Sequence, residues 1–230
     1  MTDEAVNPPD PPAVPASVRA QLLATEHWGL LASRSTTQAE VLTRISIFLT
    51  LTSAGLVSLA LAGQAMRFDG MFPVLALVVL AVVLVIGVLT QVRVATVAIE
   101  DLSYVLAMNR LRGAYAELDP GIIPYLMASR FDDRRGSQNT YSMLHRRGAG
   151  GQVAGSSMVF IVTVNSAVVG LFLGGLAGQI PTVAGGSIAV GLIAGLVYLA
   201  GSLWIGGRRY YSVWHHYTPL FPSPSDPAPG

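Results

Sequence analysis

The chain contains no cysteine and no lysine, and only 12% of its residues are charged. Without cysteine it makes no disulfide and offers no thiolate to a metal. A longer absence decides the class. From Gly148 to Gly207 there is no Asp, Glu, Lys, Arg or His. Soluble domains carry about a quarter charged residues, and no soluble fold of this size keeps such a run dry while presenting a wettable surface. With hydrophobic residues at 52% and a mean hydropathy of +0.54, the composition is that of a membrane protein. The net charge of +1 therefore implies no nucleic-acid partner.

The missing lysine also disposes of a phosphate loop. "GAGGQVAGSS" has the outline G-x-x-x-x-G-K-[ST] from Gly150 through Gly155 to Ser157, but Ser156 stands where the lysine should reach the phosphates. No soluble strand–loop–helix unit surrounds it. The stretch reads instead as a flexible, glycine-rich entry from the membrane surface into a span. Arg146 and Arg147 beside it are placed to attract anionic lipid headgroups.

Four segments are long enough to span: 45–66, 72–92, 159–180 and 187–205. Each is close to the roughly 20 residues an α-helix needs to cross a hydrocarbon core of about 30 Å. Helices follow because backbone groups must satisfy one another in lipid. The β-branched run in 72–92 is continuous, whereas barrel strands alternate. The first forty residues lack the apolar core of a cleavable signal peptide.

Arginine sets the expected orientation. Arg67 alone lies between the first two spans, and the turn "PTVAGG" carries no charge. The other thirteen arginines, Arg208 and Arg209 included, fall on the opposite side. The positive-inside rule puts both termini and the middle segment in the cytoplasm. The expected fold is all-α and polytopic, with four transmembrane helices in two antiparallel hairpins and cytoplasmic helical extensions. Its divisions are a Pro-rich disordered tail (1–16), an interfacial helix with Ser17 as N-cap (17–44) and a first hairpin (45–92). A cytoplasmic helical segment (93–155), a second hairpin (156–207) and an aromatic interfacial segment with a disordered tail (208–230) complete the chain.

The cytoplasmic segment predicts a helix continuing the second span. Val97, Leu102, Val105, Met108, Leu111 and Tyr115 supply its apolar face, Arg110 and Arg112 point outward, and "DPG" at Asp119 stops it. A shorter element, "IIPYLMASRFDDRRG", follows. Such a segment is too small for a strong core of its own. Asp132, Asp133 and His145 invite a metal reading, but adjacent carboxylates diverge in direction, and local pairing with Arg130, Arg134 and Arg135 is preferred. His215 and His216 sit in "RRYYSVWHHYTP", where Trp204, Tyr210, Tyr211, Trp214 and Tyr217 form an aromatic belt. No nucleophile elbow, H-E-x-x-H or paired-carboxylate spacing occurs. The expectation is a non-enzymatic protein with no cofactor and no metal.

Within the spans the informative residues are small or polar. Gly170, Gly174 and Gly178 in the third span, and Ser187, Gly191 and Gly195 in the fourth, make stepped small-xxx-small faces for close helix packing. Thr43, Ser46, Thr50 and Ser53 recur on one face of the first span, with Gln64 near the same line, as either interhelical glue or the wall of a wet path. Asn165 poses the same choice. No ionisable residue lies in any span, which argues against a proton relay or ion-coupled carrier.

"HWGLLASRSTTQAEVLTRISIFLTLTSAGLVSLALAGQAMRF" and the later "MNRLRGAYAELDP" resemble uncharacterised integral membrane proteins of high-GC bacteria. In layout, residues 20 to 120 resemble SLATT-type membrane effector domains, although the second pair of spans departs from that two-span pattern. The resemblance implies a homo-oligomer in the bacterial plasma membrane that forms or gates a pore. The alternative is a non-conducting scaffold that holds a cytoplasmic protein partner.

Overall fold

A computed structural model describes residues 14–143 and 156–224. Among the described residues every regular element is helical, and four helices are long and apolar enough to cross a membrane. The first, α1, runs without a break over Ala16–Ala65. At 1.5 Å per residue it is about 75 Å long, more than twice a hydrocarbon core of about 30 Å. Residues 17–44 are thus not a separate helix but the continuation of the first span. The helix begins after Pro15, which caps with no side chain, so Ser17 lies inside its first turn.

The end of α1 is closed by backbone geometry. Arg67 N–H donates to the Gln64 carbonyl at 3.3 Å and Phe68 N–H to the Gly63 carbonyl at 2.8 Å. This paired closure requires the left-handed region, which Arg67 (φ 55°) and Phe68 (φ 57°) occupy despite their side chains. Phe68 folds back on Gly63 and meets Phe72 edge-on at 5.2 Å. A Cβ at position 63 would enter the Phe68 ring, so glycine is needed there.

Helix α2, Phe72–Leu118, carries Pro73 in its first turn, where the missing N–H costs nothing. It too outruns the membrane. Asp119 ends it and accepts from Gly121 N–H at 2.9 Å, opening a 3-10 turn over Pro120–Tyr125. Residues 126–133 are irregular, and the short α3, Arg134–Tyr141, is capped by the Asp133 carboxylate on Gly136 N–H at 2.6 Å. Helix α4, Ser157–Gly178, starts at Ser156, whose hydroxyl accepts from Val159 N–H. Helix α5, Ser187–His216, extends well past the expected end of its span.

The four long helices form a row in which α1 packs on α2, α2 on α4, and α4 on α5. The α1–α2 contacts run in opposite chain directions, from Gly55 near Val79 and Val83 to Arg34 with Asp101 and Arg19 with Glu117. The α4–α5 contacts also descend, from Gly170 near Gly195 to Gly178 near Ser187. The core lies along the α1–α2–α4 seam and includes Phe48, Leu80, Val83, Ile161 and Val162. Outward side chains such as Leu61, Val85, Leu192 and Leu196 are exposed, as suits helices solvated by lipid.

Candidate functional site: an outward hydroxyl face, a buried amide cluster and a strapped stalk

The hydroxyl face of α1 turns away from the rest of the chain. Thr43, Ser46, Thr50, Ser53 and Gln64 are all exposed. The hydroxyls of Thr43, Ser46 and Thr50 donate to the carbonyls of Ala39, Leu42 and Ser46 at 2.9–3.0 Å. Back-bonding of this kind satisfies a hydroxyl without a neighbouring helix. With Leu42, Ile47 and Leu51, these three residues line a shallow surface groove. Nothing within the protomer uses this face, so it glues no helices of one chain together. The buried hydroxyl of α1 is Thr52, which bonds the Phe48 carbonyl at 2.8 Å.

Asn165 is fully buried. Its Nδ2 donates to Gln91 Oε1 at 2.8 Å, and Tyr198 OH donates to the same oxygen at 2.9 Å. One amide acceptor therefore joins α2, α4 and α5. Asn165 Oδ1 has no hydrogen-bond partner among the described residues and abuts Gly87, where a Cβ would collide with it. Glycine at 87 admits the amide into the seam. Asn165 was visible in the sequence as a polar residue inside a span. Gln91 and Tyr198 were not singled out, because nothing local marks residues 74 and 107 positions from their partners.

The small-residue faces of α4 and α5 meet backbone to backbone. A Cβ on Gly191 would lie 2.6 Å from the Gly170 carbonyl oxygen, and one on Gly195 would lie 2.9 Å from that of Ser166. Gly174 faces the Ser187 carbonyl and the Gly191 Cα, while Gly178 is in ordinary contact with the Ser187 side chain.

Beyond the spans, α1 and α2 continue side by side as a stalk held by charge. Arg93 bridges Glu40 at 2.8 Å and Glu100 at 2.9 Å, and Arg44 reaches Glu40 at 2.9 Å. Farther out, Asp101 takes both Nε and Nη2 of Arg34 at 2.6 and 3.2 Å, Gln38 Nε2 at 2.7 Å and Tyr141 OH at 2.6 Å. Burial pushes the Asp101 carboxyl up, but Arg34, Tyr141 and Gln38 hold it below the usual carboxylate range. The Tyr141 phenol is driven far above its ordinary value by burial and by Asp101.

The chain's C-terminal residues strap this stalk. Fully buried Asp132 accepts from Phe221 N–H at 2.7 Å, Leu220 N–H at 3.0 Å, Tyr217 OH at 2.9 Å and Arg110 Nε at 2.8 Å. Its own N–H donates to the Phe221 carbonyl at 3.1 Å. Asp133 accepts from the N–H and hydroxyl of Ser223 at 2.7 and 2.9 Å. The Phe221 ring lies over Gly113, where a Cβ would meet it at 2.7 Å. Burial pushes the Asp132 carboxyl up, but its four donors together hold it below the ordinary range; Tyr217, buried beside Asp132, is pushed up to about 12.

Several expectations are corrected by these contacts. Asp132 pairs with Arg110, 22 positions away, and with the strap, not with the arginines next to it. Arg110 and Arg112 are half-buried and not outward-facing. Residues 221–224 are docked rather than a disordered tail, and Tyr217 leaves the aromatic belt to bind Asp132. Tyr211 packs under Arg134 at 5.2 Å. Arg208 lies over the Trp204 ring at 4.7 Å, and Arg209 is exposed. Arg146, Arg147, His145 and the glycine-rich stretch through Gly155 lie outside the described residues. Among the described residues no group of three or more His, Cys, Asp or Glu could hold a metal. No family model, curated protein or solved structure matches the chain.

Proposed function

We propose that the protein is a non-enzymatic, homo-oligomeric assembly of the bacterial plasma membrane that forms or gates a pore, with the hydroxyl face of α1 at the subunit axis. In this reading the long helices are two antiparallel membrane hairpins with both termini and the stalk in the cytoplasm, as the arginine asymmetry favours. Arg146, Arg147, Arg208 and Arg209 hold anionic lipid headgroups at that surface. The supporting observation is that Thr43, Ser46, Thr50, Ser53 and Gln64 line one exposed face which no other helix of the chain covers. A polar stripe has a use in a bilayer when it faces water or another copy, and a ring of four-span protomers supplies both.

Replacing Ser46, Thr50 and Ser53 together with Leu tests this. An apolar constriction shuts a pore by dewetting, so ion flux from liposomes collapses while assembly size is unchanged. Loss of assembly with the triple variant would mean the hydroxyls are interhelical glue. A parent protein that is monomeric and passes no ions would sink the pore reading.

The stalk favours a second reading as a membrane-anchored scaffold. About 40 Å of paired helix stands beyond the spans at 1.5 Å per residue, with Asp101 tying three elements together at its side. Such a rod presents a rigid surface to a cytoplasmic protein partner. Capture of a partner that depends on the stalk, with no flux in any variant, is its expected signature.

A further inference from the structure

The stalk carries an unbalanced positive charge. Arg34 is neutralised by Asp101 through two hydrogen bonds. Arg112 is half-buried like Arg34, yet among the described residues no carboxylate lies within ion-pair distance of it. Its Nη1 donates to Asn109 Oδ1 at 2.8 Å. Asn109 is fully buried and fixed by its own bonds to the Phe131 carbonyl and the Thr140 hydroxyl, both 2.9 Å. Arg112 is therefore held in place by a neutral amide, and the rest of its donor fork is not spent on a carboxylate.

Across from it on α1 lies His27. Its ring stacks on Tyr115 with centroids 6.0 Å apart and an interplanar angle of 18°, and Tyr115 OH is anchored on the Leu23 carbonyl at 3.0 Å. His27 Nδ1 is buried and has no hydrogen-bond partner among the described residues. An orphaned buried ring nitrogen and an unneutralised, prepositioned guanidinium are each costly. One anion between them relieves both, because the guanidinium fork fits tetrahedral oxyanions and a protonated imidazole adds a donor.

We propose that Arg112 and His27 form a binding site in the stalk for a small dianion of the phosphate or sulfate type. A lipid headgroup is the wrong source. Arg112 lies nineteen residues beyond Arg93 at the end of the second span, about 30 Å along a helix, so the ligand is a soluble anion. The groups facing His27 are Arg112 and Tyr115 of α2; Arg34 of α1 faces Arg112 and is itself held by Asp101, with Tyr141 of α3 on the same carboxylate. Burial and then Arg112 lower the His27 pKa, so the empty site holds a neutral imidazole. The bound anion reverses that preference, and binding takes up a proton.

The test is thermal unfolding of the full chain in lipid-free detergent with sodium sulfate against sodium chloride at equal ionic strength. Sulfate stays a dianion between about pH 6 and pH 8, so the ligand does not titrate. Its general stabilising effect rises without saturation and is shared by all variants. The site adds a saturable rise that inorganic phosphate reproduces. Arg112→Gln should weaken the saturable component at least tenfold, yet unfold no earlier than the parent without sulfate. His27→Asn should keep binding but lose the gain in affinity from pH 8 to pH 6 that the parent shows. Equal sulfate responses in parent and Arg112→Gln would overturn the site, as would a parent response without saturation. If Arg112→Gln does not fold, the His27→Asn pH comparison decides alone, and identical pH profiles for it and the parent would reject the proposal.

Discussion

The two helix pairs are built by opposite means. Helices α4 and α5 touch through backbone, glycine against glycine, and almost none of the α5 surface is buried. Helices α1 and α2 are kept apart by Phe48, Ile45 and Leu80 along their spans and are tied by ion pairs beyond them. Lipid tails are as apolar as leucine, so helices in a bilayer gain little from burying large side chains and gain more from close backbone approach. In water the stalk has apolar burial and charge pairing available, and uses both. Proximity therefore governs one pair and side-chain chemistry the other.

The largest break should come where proximity is tightest. Gly191→Ala places a methyl 2.6 Å from the Gly170 carbonyl oxygen, which is backbone and cannot swing aside. The helices must part, at a cost of about 3 kcal/mol. Gly201→Ala, on the same helix with open space around it, should be neutral or slightly stabilising through helix propensity. Equal melting temperatures for the two variants in detergent would end the proximity argument.

Next in size is the strap. Asp132→Asn removes the charge that four donors converge on and should cost about 2 kcal/mol, with residues after His216 becoming open to protease. The pH dependence has a definite sign. The folded Asp132 pKa is held low, so its contribution is fully present above the unfolded value of about 3.9 and is lost as pH falls through the depressed folded value. The parent should show this acid limb and Asp132→Asn should lack it, while the Gly191→Ala deficit should not change over the same range.

The smallest effect sharpens the comparison at the turn joining α1 to α2. Arg67 holds φ 55° only because the closure on Gly63 and Gln64 demands it. A left-handed conformation costs a non-glycine residue about 1 kcal/mol. Arg67→Gly relieves that, less the added freedom of the unfolded chain, so a gain somewhat under about 1 kcal/mol is expected in denaturant titration. Destabilisation instead would mean the guanidinium does more than occupy the turn.

The amino-acid sequence by itself determined that the chain is helical and has four membrane-length apolar helices, because those properties come from what surrounds each residue locally. A charge-free run of sixty residues from Gly148 to Gly207 needs lipid, and backbone in lipid needs helix. The helical spacing of Gly170, Gly174 and Gly178 was legible for the same reason, since it is a property of one helix. The unbroken α1 was half legible: its apolar span showed, but the polar stretch before it resembled a separate element.

Only the tertiary structure decided which polar residues meet. Asp132 and Asp133 looked like members of a local charged turn, and the residues that satisfy them, Tyr217 to Ser223, lie 85 to 90 positions later in a proline-rich stretch of unstructured composition. Gln91 and Tyr198 carried no signal until α2, α4 and α5 brought them to Asn165. Arg112 and His27 read as a surface arginine and an ordinary helical histidine until the pairing of α1 with α2 left both half-buried. A buried polar group takes whatever donor or acceptor the fold delivers to it, and that delivery depends on distances through space that spacing along the chain does not encode.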